Sequence, residues 1–225
     1  MKQPSASKLP LEAFGAGRKA VRALCAQLSA PPQGLEAPKR ILFVSPEHDS
    51  GTTSLTALTA LELSRYAHEQ VALIEANCFT PAMASYLGLP PAPGIMDVID
   101  GRAEPDEALR GSMIPGLTVL TPGTHRAPQP GELNLPEARH LFQELFQRHR
   151  HTLIDAPPML AHPEAQGLLE HVDVAVLILR SRSTPIHAAK TAKSLIQEAG
   201  VPILGSILNR FKSDMPFGIG SRGWL

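Results

Sequence analysis

The sequence predicts an α/β domain, a mostly parallel sheet flanked by helices on both faces, and two observations carry that prediction. Six short apolar runs, at 41–45, 71–75, 117–120, 152–155, 174–179 and 203–208, have strand length and little alternation. Unalternated strands are buried on both faces, as in a parallel sheet covered by helices. Helical patterns fall between the runs, clearest at 52–68, 136–149 and 185–199. Alternating strand and helix gives right-handed crossover units. Ligands of such sheets bind beyond the carboxyl ends of the strands, so the chemistry is sought there.

Ahead of the first strand, Leu11, Phe14, Val21, Leu24 and Leu28 recur at helical spacing and predict a helix over 10–28. Ala30-Pro31-Pro32-Gln33-Gly34 reads as a linker. The expected organisation is a helix and linker at 1–34, the α/β domain at 35–212 and a tail at 213–225. A chain of 225 residues can bury one sizeable core. Lys plus Arg equals Asp plus Glu at 21 each, so no bulk field favours nucleic acid or an anionic membrane. Cys25 and Cys78 lie far apart with no Cys or His at metal-ligand spacing, which argues against a disulfide framework and fits a reducing cytosol. No signal peptide is readable, and no run approaches the ~20 apolar residues of a membrane span. The expectation is a soluble, cytoplasmic protein with no direct membrane insertion.

The strand ends carry the functional information. The first strand runs into Ser45-Pro46-Glu47-His48-Asp49-Ser50-Gly51-Thr52-Thr53-Ser54. A phosphate-binding loop at this place reads G-x-x-x-x-G-K-[ST]: its N–H groups wrap the phosphates, its lysine reaches the β and γ groups, and its hydroxyl binds magnesium. Aligning Gly51 with the second glycine puts Thr52 at the lysine and Thr53 at the magnesium hydroxyl, followed by Ser54. Glu47 and Asp49 add negative charge where phosphates would lie, at a cost on the order of several kcal/mol in a partly desolvated loop. A neutral His48 is a poor substitute for the lysine. The loop therefore reads as a degenerate P-loop.

These residues resemble the cytoplasmic bacterial tyrosine kinases of capsule and exopolysaccharide synthesis, within the wider group that includes the MinD and ParA ATPases. Glu12-Ala13-Phe14-Gly15-Ala16-Gly17-Arg18 is similar to the family's amino-terminal E-A-F-R-x-L-R segment. Val71-Ala72-Leu73-Ile74-Glu75-Ala76-Asn77 followed by Pro81 resembles its D-x-D motif. Gly94-Ile95-Met96-Asp97-Val98-Ile99-Asp100-Gly101 resembles G-L-x-D-V-L-x-G, and Pro128-Gln129-Pro130-Gly131-Glu132-Leu133 resembles P-x-P-x-E-L. Thr152-Leu153-Ile154-Asp155-Ala156-Pro157-Pro158 resembles V-I-I-D-T-P-P, and Leu204-Gly205-Ser206-Ile207-Leu208-Asn209 resembles G-V-V-L-N. The resemblance covers nearly the whole chain and implies a P-loop NTPase fold, a cytoplasmic location and a transmembrane polysaccharide co-polymerase as activating partner.

The departures fall where chemistry would be. The family's P-loop lysine, both aspartates of D-x-D and the aspartate before T-P-P correspond here to Thr52, Glu75, Asn77 and Asp155. Only Asp155 survives unchanged, leaving Thr53 and Asp155 as relics of the magnesium positions. Asn209 stands at the family's adenine-facing position, although a strand-end Asn is equally at home in a turn. Phe79 and Thr80 replace an arginine pair. The tail at 213–225 holds no tyrosine, and Tyr66 and Tyr86 read as packing residues.

No catalytic residue is therefore assigned. No cofactor is expected beyond, at most, weak binding of ATP or ADP with magnesium at Gly51, Thr52, Thr53, Ser54, Glu75, Asn77, Asp155 and Asn209. The leading expectation is a non-catalytic pseudo-kinase that regulates or scaffolds exopolysaccharide synthesis and export. It would do so through a membrane co-polymerase or an active kinase paralogue, lying at the inner membrane through that partner. A nucleotide sensor without turnover and a MinD/ParA-like positioning ATPase are the alternatives. Glu12, Arg18 and Arg22 keep part of the family's subunit-contact stripe, so homo-oligomerisation stays open. The run Arg148-His149-Arg150-His151 reads as a solvated helix end.

Overall fold

The structure, a computed structural model, describes residues 15–29, 36–66, 68–123 and 126–211, with the side chains of 15–18 and 66 outside that description. In chain order the elements are α1 (Gly15–Ser29), β1 (Arg40–Val44), α2 (Thr52–Tyr66), β2 (Val71–Glu75), α3 (Met83–Leu87), α4 (Ile95–Ile99) and α5 (Pro105–Ala108). Then follow β3 (Leu109–Gly111), β4 (Leu117–Leu120), α6 (Pro136–Arg148), β5 (His151–Asp155), α7 (Glu164–Gly167), β6 (Val174–Arg180), α8 (Ile186–Glu198) and β7 (Ile203–Asn209). One sheet runs β3-β4-β2-β5-β1-β6-β7. Every neighbouring pair is parallel except β3 and β4, which are antiparallel.

The central strands are buried on both faces because successive side chains enter two different cores. Leu42, Val44, Ala72, Ile74 and Ile154 meet α6 and α8 through Leu141, Phe142 and Ile196. Ile41, Phe43, Val71, Leu73 and Leu153 meet α2 through Leu55 and Leu58. Residue after residue is apolar, which is why these strands show no alternation. α2 shows little amphipathic pattern for a related reason: it is covered on its outer side as well. Val21, Leu24 and Leu28 of α1 pack in the same core as α2, so α1 is an added layer over that helix.

The six expected strands and the four long helices are in place. β3 was not expected, being only three residues long and antiparallel. The reading of residues 148–151 as a solvated helix end is corrected at its last residue. His151 opens β5 and is fully buried, its Nδ1 2.9 Å from the carbonyl of Pro38 and its Nε2 2.7 Å from a carboxylate oxygen of Glu69. Burial lowers the His151 pKa, against the pull of Glu69. Leu11, Phe14 and the tail at 213–225 lie outside the described residues.

Candidate functional site

The loop between β1 and α2 is held by its own side chains. The hydroxyls of Ser45 and Ser50 both donate to the carbonyl of Glu47, at 2.8 and 3.1 Å. From the other side, the N–H groups of Met159 and Leu160 donate to the carbonyls of Ser45 and Pro46, at 2.9 and 3.1 Å. The turn into α2 uses left-handed backbone at Asp49 (φ 58°) and Gly51 (φ 83°). The Asn209 amide donates to the carbonyl of Ser50 at 2.8 Å. That amide sits so close that a Cβ on Gly51 would lie 2.4 Å from it. Asn209 thus fastens the loop.

Beyond the strand ends lies a cavity of about 290 Å³, walled by Gly51, Thr52, Thr53, Ser54, Asn77 and Arg210 among others. This volume falls at the bottom of the range of small-molecule pockets, about 300–1,000 Å³. Glu47 and Asp49 stand on the same wall. Asn77 is spent on a local turn: its Oδ1 accepts from the Thr80 N–H at 3.3 Å and its amide donates to the Thr80 hydroxyl at 3.1 Å.

Glu75 and Asp155 lie side by side in the β2–β5 register, both fully buried. One oxygen of Glu75 accepts the N–H groups of Ala82 and Met83, at 2.5 and 2.9 Å, and so caps α3. Its other oxygen accepts no hydrogen bond among the described residues. Burial raises the Glu75 pKa to about 7 against those two N–H groups. Burial raises Asp155 well above the carboxylate range, the neighbouring Glu75 adds to the rise, and the hydroxyls of Thr53 and Thr56 oppose it. Two adjacent carboxylates in a dry site favour the protonated form over the charged one.

Three aromatic rings from three separate loops meet at this end of the sheet. Phe79 stacks on His162, with ring centroids 3.7 Å apart, and His48 meets His162 edge-on at 5.4 Å. Burial, then His48, lowers the His162 pKa. Neither His162 nor Arg210 was singled out from sequence, because nothing local marks a ring or cation whose partners arrive from other loops. Among the described residues no cluster of His, Cys, Asp and Glu is arranged to hold a metal ion.

The remaining expected residues are elsewhere. Arg22 reaches across to Glu62 of α2, with Nε 3.3 Å from a carboxylate oxygen, within the same chain. Glu12 and the Arg18 side chain lie outside the described residues. Tyr86 packs against the α2 core, and the Tyr66 side chain is outside the described residues. Cys25 and Cys78 are unpaired, and burial pushes both thiols up to about 12.

Two motifs prove to be architectural. Asp97 accepts the N–H of Gly94 at 2.9 Å, and Ile95 and Met96 donate to the carbonyls of Thr121 and Pro122 beyond β4. Arg126 joins the second motif to the first by bonding both Asp100 and Glu132. Those bonds lower both carboxyl pKa values.

No protein-family model matches the chain. It is similar to the tyrosine-protein kinase YwqD of Bacillus subtilis, 27% identical over 172 residues, which are 76% of this chain and 72% of that protein. It is also similar to the tyrosine-protein kinase ptk of Acinetobacter johnsonii, 24% identical over 169 residues, 75% of this chain. The chain spans only 23% of the length of that second protein. Among solved structures, the kinase domain of the Escherichia coli tyrosine kinase ETK superposes with a TM-score of 0.76 at 20% identity, covering 97% of this chain and 88% of that one.

Proposed function

We propose that this chain is a non-catalytic member of the family of bacterial tyrosine kinases to which it is similar, a pseudo-kinase that regulates or scaffolds exopolysaccharide or capsule synthesis and export. Its partner on this reading is a transmembrane polysaccharide co-polymerase or an active kinase paralogue, which would hold it at the cytoplasmic face of the inner membrane. One observation carries the proposal: three polar side chains at the nucleotide positions are spent on the protein's own backbone. Asn209 holds the loop, Glu75 caps α3 and Asn77 closes a turn by accepting the Thr80 N–H. Asp155 is buried with its pKa raised.

Magnesium-ATP does not suit what remains. Thr52, buried at the helix start, offers no positive charge to the phosphates, and Glu47 and Asp49 oppose them. Phosphoryl transfer depends on positioning and charge stabilisation, so these losses compound. One observation favours a nucleotide sensor as second reading: Arg210 places a cation on the cavity wall. Thermal stability with and without Mg-ATP and Mg-ADP separates the readings. Ligand at a hundredfold excess over its dissociation constant adds about 2.7 kcal/mol, a rise of several degrees. The pseudo-kinase reading expects no shift at millimolar nucleotide and no phosphate release. A shift without turnover, lost in Arg210→Ala, would transfer the assignment to the sensor. Turnover lost in Asp155→Ala would sink both.

A further inference from the structure

β7 is the last strand of the sheet, and among the described residues it pairs with β6 alone. The carbonyl of Asn209 accepts from the N–H of Ser181 at 2.9 Å, facing β6. Strand alternation therefore turns the N–H and C=O groups of Ser206 and Leu208 toward the open edge. Natural edges of this length are blunted with proline, lysine or a bulge. Ile203–Asn209 contains neither residue, and its one bulge, the extra residue Leu204 between the pairings with Ala175 and Val176, leaves the stretch from Gly205 onward in regular register.

Beside this edge, a groove of about 740 Å³ runs between β7 and α8. α8 turns Ala188, Ala192 and Ile196 to the core and leaves the flank with Ile186, Lys190 and Lys193 on the groove. Ile186 is 77% exposed and Leu208, on the other wall, 51% exposed, so the groove carries uncovered apolar surface. Arg180, Lys190 and Lys193 line it, and no described carboxylate does.

We propose that this edge and groove take an extended, acidic–apolar segment of a partner polypeptide, which adds to the sheet as a strand beside β7. Backbone pairing to Ser206 and Leu208 would supply the affinity, and alternate side chains would meet the apolar walls and the cations. Charge selects the occupant: a second copy docked edge to edge would bring two basic walls together, whereas carboxylates complement them. The inference rests on the scaffold reading above and gives it a surface, on the opposite side of β6 from the degenerate loop of β1.

The test uses the full chain and fluorescein-labelled decapeptides, one alternating valine and glutamate, the other valine and lysine, read by anisotropy. The acidic peptide is expected to bind and the basic one not to. Charge reversal in Lys190→Glu/Lys193→Glu should abolish binding. Ser206→Pro removes one outward N–H while sparing the β6 ladder, and should weaken binding about tenfold. All three positions are exposed, and unchanged melting temperatures would certify the folds. Absence of binding overturns the proposal. So does binding sensitive to charge reversal but indifferent to Ser206→Pro, which is surface attraction without strand addition. Phosphatidylserine vesicles bound in place of the peptide, and released by charge reversal, overturn it in favour of a lipid surface. The same preparations are assayed for ATP turnover. Turnover with intact peptide binding sinks the non-catalytic reading and leaves the groove, and the reverse pair of results does the opposite.

Discussion

At the carboxyl end of β4, acidic side chains are paired with a cation and hold the backbone together. At the neighbouring ends of β2 and β5, acidic side chains are buried without one among the described residues. Asp100 and Glu132 share Arg126, and their pKa values fall. Glu75 and Asp155 stand beside each other in the sheet, and burial raises both pKa values. Both regions resemble motifs of the kinase family. In the first, Asp97, Asp100 and Glu132 each satisfy a backbone group or an ion partner inside the fold. In the second, Glu75 caps α3, Asn77 closes a turn and Asn209 fastens the loop.

The largest expected effect that sharpens this contrast lies in the β4 region. A Cβ on Gly94 would lie 2.3 Å from the Gly123 nitrogen and the Thr121 carbonyl. These are backbone atoms that cannot swing aside, so Gly94→Ala should cost about 3 kcal/mol. Thermal melting should show a fall of roughly 10 °C, and a fall of a degree or two would mean that the motif is not a tight backbone contact.

Next comes the buried pair. The folded Glu75 pKa of about 7 lies above its ordinary 4.5, so the folded state binds more protons between those values. The associated stability is fully present below about 4.5 and lost as pH rises through about 7. Glu75→Gln keeps an oxygen to cap α3 and removes that dependence. The variant should gain on the native chain by on the order of 2–3 kcal/mol across this window. Urea denaturation at a series of pH values checks it, and parallel profiles for the two proteins would break the comparison. The smallest effect belongs to Arg126→Ala. Its partners are surface groups, so about 1 kcal/mol is expected. The sign is the reverse of the Glu75 case: the depressed carboxyl pKa values give stability present above the ordinary carboxylate range and lost as pH falls. The difference from the native chain should therefore shrink in acid and in high salt. A deficit unmoved by either would assign Arg126 to packing.

Much of this architecture was legible in the sequence, because unalternated apolar runs of strand length suit few places besides a sheet covered on both faces. The loop after β1 and the neighbouring strand ends were legible too, since a strand-to-helix turn with a glycine has a fixed place in such a fold. What escaped were relations between distant residues. Glu75 reads as a displaced magnesium ligand until Ala82 and Met83 are seen donating to it. Arg126 has its partners 26 residues before it and six after, a spacing that no periodicity flags. His151 follows three helix-end polar residues and resembles them in everything but burial.

The two thiols carry a practical consequence. With both pKa values near 12, against 9.0 for an ordinary cysteine, each holds roughly a thousandfold less thiolate at neutral pH. The chain contains no other cysteine, so to a maleimide or a disulfide reagent the native protein is nearly silent. A single cysteine placed at an exposed position such as Ser206 would then react far ahead of the background. A spectroscopic reporter or a cross-link could be written onto the β7 edge without first removing the two that nature put in the core.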